Sequence, residues 1–552
     1  MINNPILPGF NPDPSILRVG DTYYIATSTF EWFPGVKLYQ SNNLSDWQQI
    51  GYALDRSSQL DLSSLDTARG VWAPCLSYND DKSLFYLVYS NVYSMRSGYF
   101  DLDNFVVTAP NIEGPWSEAS YLNSSGFDPS LFHDDDGLAW LVSLEWENRS
   151  NYDHPGWVVV QQYCLETNSL VGNVTRLTTG GTKRGCIEAP HLYKRGDYYY
   201  LMTAEGGTGY GHAVVMLRST NVTGPYEPDP QSIVLSNCLD EFDEFAIDDS
   251  VKLHRFEPHS KLAKSGHGSL VHTASGQPYI AHLCARPFAE QANCILGRET
   301  ALQACQWTDN GWLRLKDGGK QAQLTCEPPL QHPETIGQLP YSFGRDNFDP
   351  NKLADDYQSY RLPLRNDCIR LTNPGIEIKG TGSLFSSRHM SLLARRISHF
   401  NCRFETSLSV EPKHHLCSAG LTCFYSQSNF YYLKVYWSES LGQRAISILS
   451  STLAGKTEYT QYRIAIDATC KVQLAFELQG KHLHASYCLA NGVWHNIGPC
   501  LDASILSDEY GSQKFTGSFV GLFCEDLRQQ QLLAQFDYLD YQITAKHKNQ
   551  KP

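Results

Sequence analysis

The sequence lacks the features of a secreted, membrane-bound or nucleic-acid-binding protein. Its start, MINNPILPGFNPDPSI, has no basic segment, apolar run or cleavage site of a secretory signal, and no later stretch is long and apolar enough to span a membrane. Positive charge is scarce too, since 44 Lys and Arg oppose 58 Asp and Glu, for a formal net charge of -14. Such a charge repels nucleic acids and anionic lipids. We expect a cytoplasmic protein with a neutral substrate and no nucleic-acid or membrane partner.

Cysteine pairs are also absent. The 16 cysteines are scattered singly, without a CxxC motif and without the Cys/His spacing of a zinc site, which predicts free and mostly buried thiols. Aromatic residues, in contrast, make up 12% of the chain. This content is typical of β-rich structure and of sugar binding, in which flat rings stack on pyranosides.

One motif occurs five times in the first 325 residues. The copies are DPSILRVGDTYYIATS from Asp13, APCLSYNDDKSLFYLVYS from Ala73, DPSLFHDDDGLAWLVS from Asp128, APHLYKRGDYYYLMTA from Ala189 and HGSLVHTASGQPYIAHL from His267. Each copy reads as two strands joined by a polar turn, which is a β-hairpin. Repeated units of short strands without helical periodicity predict an all-β fold, a β-propeller with five blades.

The first strand of each propeller blade lines the central axis, so the residues that begin the five copies should meet at one end of the channel. Asp13, Asp128 and Glu188 are then neighbours. Three carboxylates are the minimum set for glycosidic hydrolysis with inversion: a base for water, an acid for the leaving oxygen and a group that tunes the acid. An isolated Asp-Pro normally marks a turn, but recurrence at matched positions favours a functional role. Two other acidic runs, 133–136 and 240–249, are interpreted as a turn and a solvated loop.

The repeat ends near residue 325. A Pro-rich passage at 326–341, CEPPLQHPETIGQLPY, reads as a linker. Short alternating strands with turn signals between them follow over 342–548, a pattern that predicts an antiparallel β-sandwich. We expect a propeller catalytic domain at 1–325 and a structural C-terminal domain.

Several segments together resemble the glycoside hydrolase family 43 β-xylosidases. They are PGFNPDPSI, TSTFEWFPGV, RGVWAPCLSY, SGFDPSLFHDDDG, IEAPHLYKRGDYYYLMTAEGGT, SGHGSLV and CILGRETALQ, and the similarity extends over nearly the whole chain. The resemblance implies a five-bladed propeller followed by a β-sandwich. By position it makes Asp13 the general base, Glu188 the general acid and Asp128 the group that sets the pKa and orientation of the acid. We expect the pKa of Glu188 to be raised by burial or by the charge of Asp128.

The resemblance also implies substrate contacts. Arg298 resembles the family arginine that binds the hydroxyls of the terminal xylose, with a salt bridge closing the last blade as the alternative. Phe30 and Trp72 resemble the aromatic walls of that subsite, with packing in the propeller core as the alternative. Thr208 is a further contact.

Two more residues extend this set. His267 corresponds to a histidine at the channel centre that touches water or a divalent cation such as calcium, although a structural role fits a single histidine equally well. No cofactor is otherwise expected. Phe519, or Phe515 beside it, corresponds to the residue through which a sandwich loop reaches the mouth of the site.

The resemblance therefore implies an exo-acting, inverting β-D-xylosidase of the xylan 1,4-β-xylosidase type, acting on xylobiose and short xylooligosaccharides. Relatives of this architecture are homo-oligomers, tetramers or dimers. An α-L-arabinofuranosidase, or a bifunctional enzyme, is the nearest alternative because the two sugars present similar hydroxyls. A non-catalytic carbohydrate-binding propeller would not need all three carboxylates, and an endo-acting arabinanase or xylanase would need an open groove.

Overall fold

The computed structural model describes residues 1–149, 152, 156–239, 251–288, 291–330, 343–364, 367–467, 470–490, 492–511 and 515–544. The chain forms two compact units, Met1–Ala292 with Arg298–Pro340 and Asn293–Gly297 with Tyr341–Pro552. Segment 293–297 therefore belongs to the second unit, although the sequence placed it in the propeller. The acidic run 240–249 and most of the linker expected at 326–341 lie outside the described residues.

The first unit contains five four-stranded antiparallel sheets, which confirms the prediction of five blades. In chain order, their strands are β2 (Ser15–Val19), β3 (Thr22–Thr27), β5 (Gly35–Ser41) and β6 (Gln48–Leu54); β7 (Gly70–Asn79), β8 (Leu84–Arg96), β9 (Tyr99–Ala109) and β10 (Ser120–Asn123); β11 (Ser130–His133), β12 (Ala139–Trp146), β13 (Gly156–Cys164) and β14 (Ser169–Thr178); β15 (Glu188–Arg195), β16 (Tyr198–Glu205), β17 (Ala213–Ser219) and β18 (Glu227–Ser236); β19 (Ala263–His272), β20 (Pro278–Ala285), β21 (Glu299–Trp307) and β22 (Leu313–Leu315). Strand β1 (Ile2–Asn3) pairs with β23 (Thr325–Cys326), and the short strand β4 (Trp32–Phe33) follows β3 in the chain and is not part of the first sheet.

Each hairpin of the repeat follows from its turn residues and its apolar strands. Gly20 and Gly196 fill two-residue turns with φ of 58°, a left-handed conformation that glycine adopts without steric cost. Apolar side chains of neighbouring blades then pack together. Leu38 and Leu87 join the first two blades, and Val142 and Leu201 join the third and fourth. Burial between blades stabilises each blade only in the presence of the next.

The second unit is a β-sandwich of two antiparallel sheets. One sheet has the order β26-β27-β39-β29-β35-β36-β37 with β24 beside β39, and the other has the order β33-β32-β31-β30-β38-β28-β25 with β34 beside β32. The strands are β24 (Gly344–Asp346), β25 (Gln358–Tyr360), β26 (Ile369–Leu371), β27 (Ile376–Lys379), β28 (Ser391–Arg396), β29 (Asn401–Val410), β30 (Cys417–Ser426), β31 (Asn429–Ser438), β32 (Gln443–Thr452), β33 (Gly455–Glu458), β34 (Ile464–Ala465), β35 (Val472–Gln479), β36 (His482–Cys488), β37 (Trp494–Asp502), β38 (Phe519–Asp526) and β39 (Leu533–Ile543).

The sandwich core is aromatic and aliphatic. Phe404, Leu421 and Phe476 have no exposed surface. Helical structure in the described residues consists of short 3-10 turns at Leu253–Arg255, Thr460–Tyr462 and Ala503–Leu506. Within those residues, no helix has the length and apolar character needed to cross a membrane.

Candidate active site

The residues that begin the five repeat copies share an unusual backbone conformation. Asp13, Ala73, Asp128, Ala189 and His267 have φ angles of 54°, 40°, 56°, 51° and 48°. In a residue with a Cβ atom, this left-handed region is disfavoured by about 1–2 kcal/mol. Such strain persists only where the surrounding structure enforces it, and it concentrates at functional sites. The repeat therefore holds five matched residues in a strained conformation at one end of the channel.

Hydrogen bonds between neighbouring blades fix the two aspartates. Ser28 donates to Asp13 Oδ2 at 2.7 Å and accepts the Ala73 N–H at 2.8 Å. Asp128 Oδ2 accepts the Ala189 N–H at 2.9 Å. Each aspartate is thus held, directly or through Ser28, by the residue that begins the next blade.

Asp13 lies among cationic and aromatic side chains and is 6% exposed. Its Oδ1 is 3.7 Å from His267 Nδ1 and 3.9 Å from Arg298 Nη1. Burial lowers the pKa of His267 well below its usual value, so that this ring is neutral at physiological pH. The guanidinium of Arg298 is therefore the positive charge next to Asp13.

Glu188 begins strand β15, and its carboxyl has a strongly perturbed pKa. Burial, and then the negative charge of Asp13, raise the pKa of Glu188 to about 8. Burial and the charges of Glu188 and Asp13 likewise raise the pKa of Asp128 well above its usual value. Burial, which the sequence predicted, and the charge of Asp13, which it did not, thus raise the pKa of Glu188, and Glu188 and Asp128 disfavour each other's ionisation.

These neighbouring carboxyls cannot all carry a charge at neutral pH. Glu188 keeps its proton up to about pH 8 and can donate it to a leaving oxygen. Groups whose environments separate their protonation states are suited to acid and base roles in one reaction. The arrangement is that of a site for general acid–base chemistry.

The structure brings the predicted substrate contacts to the same place. Arg298 is 3% exposed, and its Nη1 donates to Thr208 Oγ1. Its guanidinium lies 5.2 Å from the centroid of the Phe30 ring. The Phe30 and Trp72 rings are 5.6 Å apart. These four residues therefore form one wall with the carboxylate cluster.

The contacts of Arg298 and Trp72 bear on their alternative roles, a salt bridge closing the last blade and packing in the propeller core. Arg286, not Arg298, makes the tight ion pair in the last blade, with two hydrogen bonds of 2.6 and 2.7 Å to Glu299. Trp72 does pack as a core residue, since its ring lies 5.8 Å from that of Phe127. Its Nε1 is nevertheless a buried donor without a partner among the described residues. Core packing and a wall role are compatible for Trp72.

His267 lies within the channel, where its ring is 6.4 Å from that of His191 and close to Asp13. Calcium takes about six to eight oxygen ligands. In the described part of the chain, the side chains that gather closely enough for a metal ion lie in the second unit, at His414, His415 and Glu439. The side chains around His267 do not fit direct calcium binding, and a cation there would depend on water ligands.

Sequence reasoning missed His212, which lies beside the acid. Its Nε2 is 3.5 Å from Glu188 Oε1, and its Nδ1 is 3.1 Å from the carbonyl oxygen of Lys264. A carbonyl can only accept, so Nδ1 carries the proton and Nε2 is an acceptor. Burial lowers the pKa of His212 to about 4, which keeps the ring neutral. An acceptor next to Glu188 favours the protonated carboxyl.

A glycine was the available signal for His212. A Cβ atom on Gly266, in the SGHGSLV segment, would lie 2.3 Å from the His212 ring. Only glycine leaves room for the imidazole at this point. The sequence does not show which side chain needs that space, because His212 is 54 positions away and belongs to another blade.

Phe519, which the resemblance placed at the mouth of the site, is fully buried in the second unit. It begins β38, where it pairs with Phe424 and Arg396, and it has no exposed surface. The neighbouring Phe515 is 8% exposed. Of the two phenylalanines, Phe515 therefore stays the one predicted to reach the mouth of the site.

Two family models match the chain. The model described as "Glycosyl hydrolases family 43" matches residues 2–313, and that described as "Beta xylosidase C-terminal Concanavalin A-like domain" matches residues 345–542. The chain belongs to glycosyl hydrolase family 43. The resemblance seen in the sequence is confirmed, and the chain is a glycoside hydrolase.

Family 43 relatives match over the full length. The chain is 41% identical to "Xylosidase/arabinosidase 43B" of Humicola insolens, over 98% of the chain and 97% of the relative. It is 39% identical to "Xylan 1,3-beta-xylosidase" of a Vibrio species, over 98% and 99%. The crystal structure of a xylan beta-1,4-xylosidase from Bacillus halodurans C-125 superposes with a TM-score of 0.91 at 40% identity, covering 98% of this chain and all of that one.

Proposed function

We propose that this family 43 enzyme is an exo-acting, inverting β-D-xylosidase that releases terminal xylose from the non-reducing end of xylobiose and short xylooligosaccharides. The observation that carries the proposal is the proton-holding Glu188 beside the buried Asp13. The names of the three similar proteins described above each include xylosidase and support the choice of sugar.

The proposed mechanism is a single displacement. Asp13 removes a proton from water as the water oxygen attacks the anomeric carbon, and Glu188 protonates the glycosidic oxygen as that bond breaks. Asp128 accepts a hydrogen bond from the Ala189 N–H, and Ala189 directly follows the acid Glu188 in the chain. The role of Asp128 is to position Glu188 and to favour its protonated state. Inversion requires room for a water molecule between base and sugar, with the two carboxyls about 6.5–9.5 Å apart.

Burial supports exo action. Arg298 and Phe30, which are 3% and 2% exposed, form a wall with the half-buried Thr208. Such a wall suits one terminal sugar, whose hydroxyls the guanidinium can bind with charge-assisted hydrogen bonds. An internal segment of a long polymer would need an open groove.

The test is the stereochemistry of the first product. Xylobiose hydrolysis is followed by proton NMR with the wild type and with Glu188→Ala. We expect α-xylose first and a nearly inactive variant. If β-xylose appears first, the mechanism is retaining and the role of Asp13 as base is wrong.

Two alternatives in substrate come from the relatives' names. The name "Xylosidase/arabinosidase 43B" suggests activity on arabinofuranosides, which is tested by comparing the turnover of an aryl xyloside with that of an aryl arabinofuranoside. The name "Xylan 1,3-beta-xylosidase" suggests activity on the 1,3 linkage, which is tested by comparing hydrolysis of β-1,3-linked and β-1,4-linked xylobiose. Preference for the arabinofuranoside or for the 1,3 linkage would replace the corresponding part of the proposal.

We also propose that hydrolysis requires no cofactor. The side chains at His267 do not fit direct calcium binding, and no step of the mechanism above needs a cation. Dialysis against EDTA should leave kcat unchanged. A loss of activity that calcium restores would place a cation in the reaction.

A further inference from the structure

Glu205 is a buried carboxylate near the candidate active site that the proposed mechanism does not use. It is the last residue of strand β16, and 1% of its surface is exposed. Ala204, the residue before it, lies opposite Glu188 in the pairing of β15 with β16. Shortly after it in the chain, Thr208 accepts a hydrogen bond from Arg298. Glu205 therefore belongs to a segment that joins the strand beside the acid to the wall of the site.

The carboxylate of Glu205 binds the chain segment that leads into the acid. Its Oε1 accepts the Gly181 N–H at 2.6 Å. Its Oε2 accepts the Thr182 N–H at 2.9 Å and also the Thr182 hydroxyl. The same hydroxyl oxygen accepts the Arg184 N–H at 3.1 Å. Both carboxylate oxygens are thus bound to residues that come shortly before Glu188 in the chain.

A backbone contact holds the same segment closer to the acid. The Gly206 N–H donates to the Gly185 carbonyl oxygen at 2.8 Å. Gly206 has a φ of 89°, and a Cβ atom there would lie 2.1 Å from the carbonyl oxygen of Gly211. Only glycine fits so close to the neighbouring backbone. The segment that precedes Glu188 is therefore held at two points, by the Glu205 carboxylate and by the residue that follows it.

A carboxylate suits this position because its partners are all donors. An ionised carboxyl accepts on both oxygens and donates nothing, whereas a glutamine amide would turn an NH₂ group towards one of the donors. Burial raises the pKa of Glu205 to about 7, although its hydrogen bonds to Gly181 and Thr182 and the charge of Arg184 act in the opposite direction. Perturbed carboxyls of this kind are concentrated at functional sites. Glu205→Gln should therefore loosen the segment without changing the volume of the side chain.

We propose that Glu205 is a positioning residue for the general acid: it fixes segment 180–187 and thereby holds Glu188 at the glycosidic oxygen. This inference rests on the proposed function, because it requires Glu188 to be the acid. A displacement of about 1 Å at a reacting group can lower a rate by about 10²-fold. A misplaced acid should slow only those substrates whose leaving group needs a proton.

The test compares two substrates in Glu205→Gln. On xylobiose, whose leaving sugar needs a proton, we expect kcat/KM to fall by about 10- to 100-fold. On an aryl xyloside whose leaving group departs without a proton, we expect a far smaller loss. A residue that only stabilises the fold would lower both values by the same factor.

Asp229 provides the matched control, since it is a buried carboxylate of the same blade, 2% exposed, on β18. It accepts the Gln231 N–H at 2.9 Å and two hydrogen bonds from the guanidinium of Arg314. Asp229→Asn should lower the melting temperature and change kcat/KM on the two substrates by the same factor.

Thr182 provides a second pair of variants that keeps the test informative if Glu205→Gln does not fold. Thr182→Val removes the hydroxyl that binds Glu205 and preserves the shape of the side chain. It should reproduce the difference between the substrates in weaker form. Thr182→Ser retains the hydroxyl and should restore kcat/KM on xylobiose.

Glu188→Gln, measured with the same two substrates, separates this inference from the proposed function. If Glu188→Gln lowers kcat/KM equally on both, Glu188 is not the acid and the proposed function fails. If Glu188→Gln distinguishes the substrates but Thr182→Val or a folded Glu205→Gln does not, the acid is confirmed and the positioning role of Glu205 is wrong.

Discussion

The two ends of the propeller channel are built by the same five strands but differ in chemistry. Asp13 and Asp128 lie at one end, two residues before strands β2 and β11, whereas Ser15 and Ser130 begin those strands. With their counterparts Cys75, His191 and Ser269, these serines line a cavity of about 350 Å³. One end holds carboxylates, whereas the five matched side chains at the other end, here called the neutral end, carry no charge.

Hydrogen bonds at the two ends of the channel explain this difference in chemistry. At the neutral end, Ser15 Oγ accepts the Leu76 N–H at 2.9 Å, and Ser269 Oγ accepts the Ile16 N–H at 3.1 Å. These bonds join neighbouring blades and satisfy the polar groups. At the carboxylate end, the buried Asp128 and the half-buried Glu188 lie beside other carboxyl groups, which is unfavourable for their ionised forms. The comparison indicates that the neutral end maintains the propeller and that the other end is kept for chemistry.

The largest expected effect separates the two ends by activity. Asp13→Asn should lower kcat by about 10²–10⁴-fold on every substrate. Glu188→Gln should lower kcat by as much on xylobiose. On an aryl xyloside whose leaving group departs without a proton, the same variant should lower kcat far less. Ser15→Ala, at the neutral end, should keep near wild-type activity. Equal losses for Asp13→Asn and Glu188→Gln on the activated substrate would contradict the assignment of acid and base.

The next effect concerns the sugar-binding wall. Arg298→Lys should lower kcat/KM by about 10- to 100-fold, because a hydrogen bond to a charged group contributes about 1.5–3 kcal/mol. The matched control is Arg286→Lys, which alters the ion pair to Glu299 and should lower the melting temperature while leaving KM unchanged. Steady-state kinetics with thermal unfolding distinguishes the two. A KM change confined to the control would reverse their roles.

Stability should depend on pH through Glu188. Its pKa of about 8 in the folded state lies above the usual value of 4.5, so between these values the unfolded chain binds fewer protons and stability falls as pH rises. Glu188→Gln removes this loss. The melting temperature of the variant should exceed that of the wild type by a margin that grows from pH 5 to pH 8. A constant difference across this range would contradict a raised pKa.

The smallest expected effect is that of His212. Loss of the acceptor nitrogen in His212→Leu should shift the alkaline limb of the kcat/KM profile to lower pH by less than about one unit. One pH unit corresponds to about 1.36 kcal/mol, more than one weak contact to the carboxyl is expected to contribute. The control is His282→Leu, which changes another buried histidine and should leave the limb in place. An unmoved limb in a folded His212→Leu would show that this histidine only packs against Gly266.

Much of the site could be predicted because the repeat is visible in the sequence. The five copies align Asp13 with Asp128 and place Glu188 directly before Ala189, so the propeller alone requires them to meet. His212 lies between copies, at the start of β17, and no repeat position marks it. The grouping of segment 293–297 with the second unit was not visible in the sequence for a similar reason: its bonds, such as that from the Ser518 N–H to the Ile295 carbonyl, join residues far apart in sequence.

The sequence by itself determined the class of fold, the number of blades and the carboxylates at one end of the channel. These follow from local patterns, alternation, turn residues and repetition, which each short segment carries on its own. Only the tertiary structure decided that the charge of Asp13 acts on Glu188, that a neutral histidine accepts beside the acid and that Phe519 is enclosed. Those properties depend on distances between remote residues and on exclusion of water, and both arise when the blades and sheets pack.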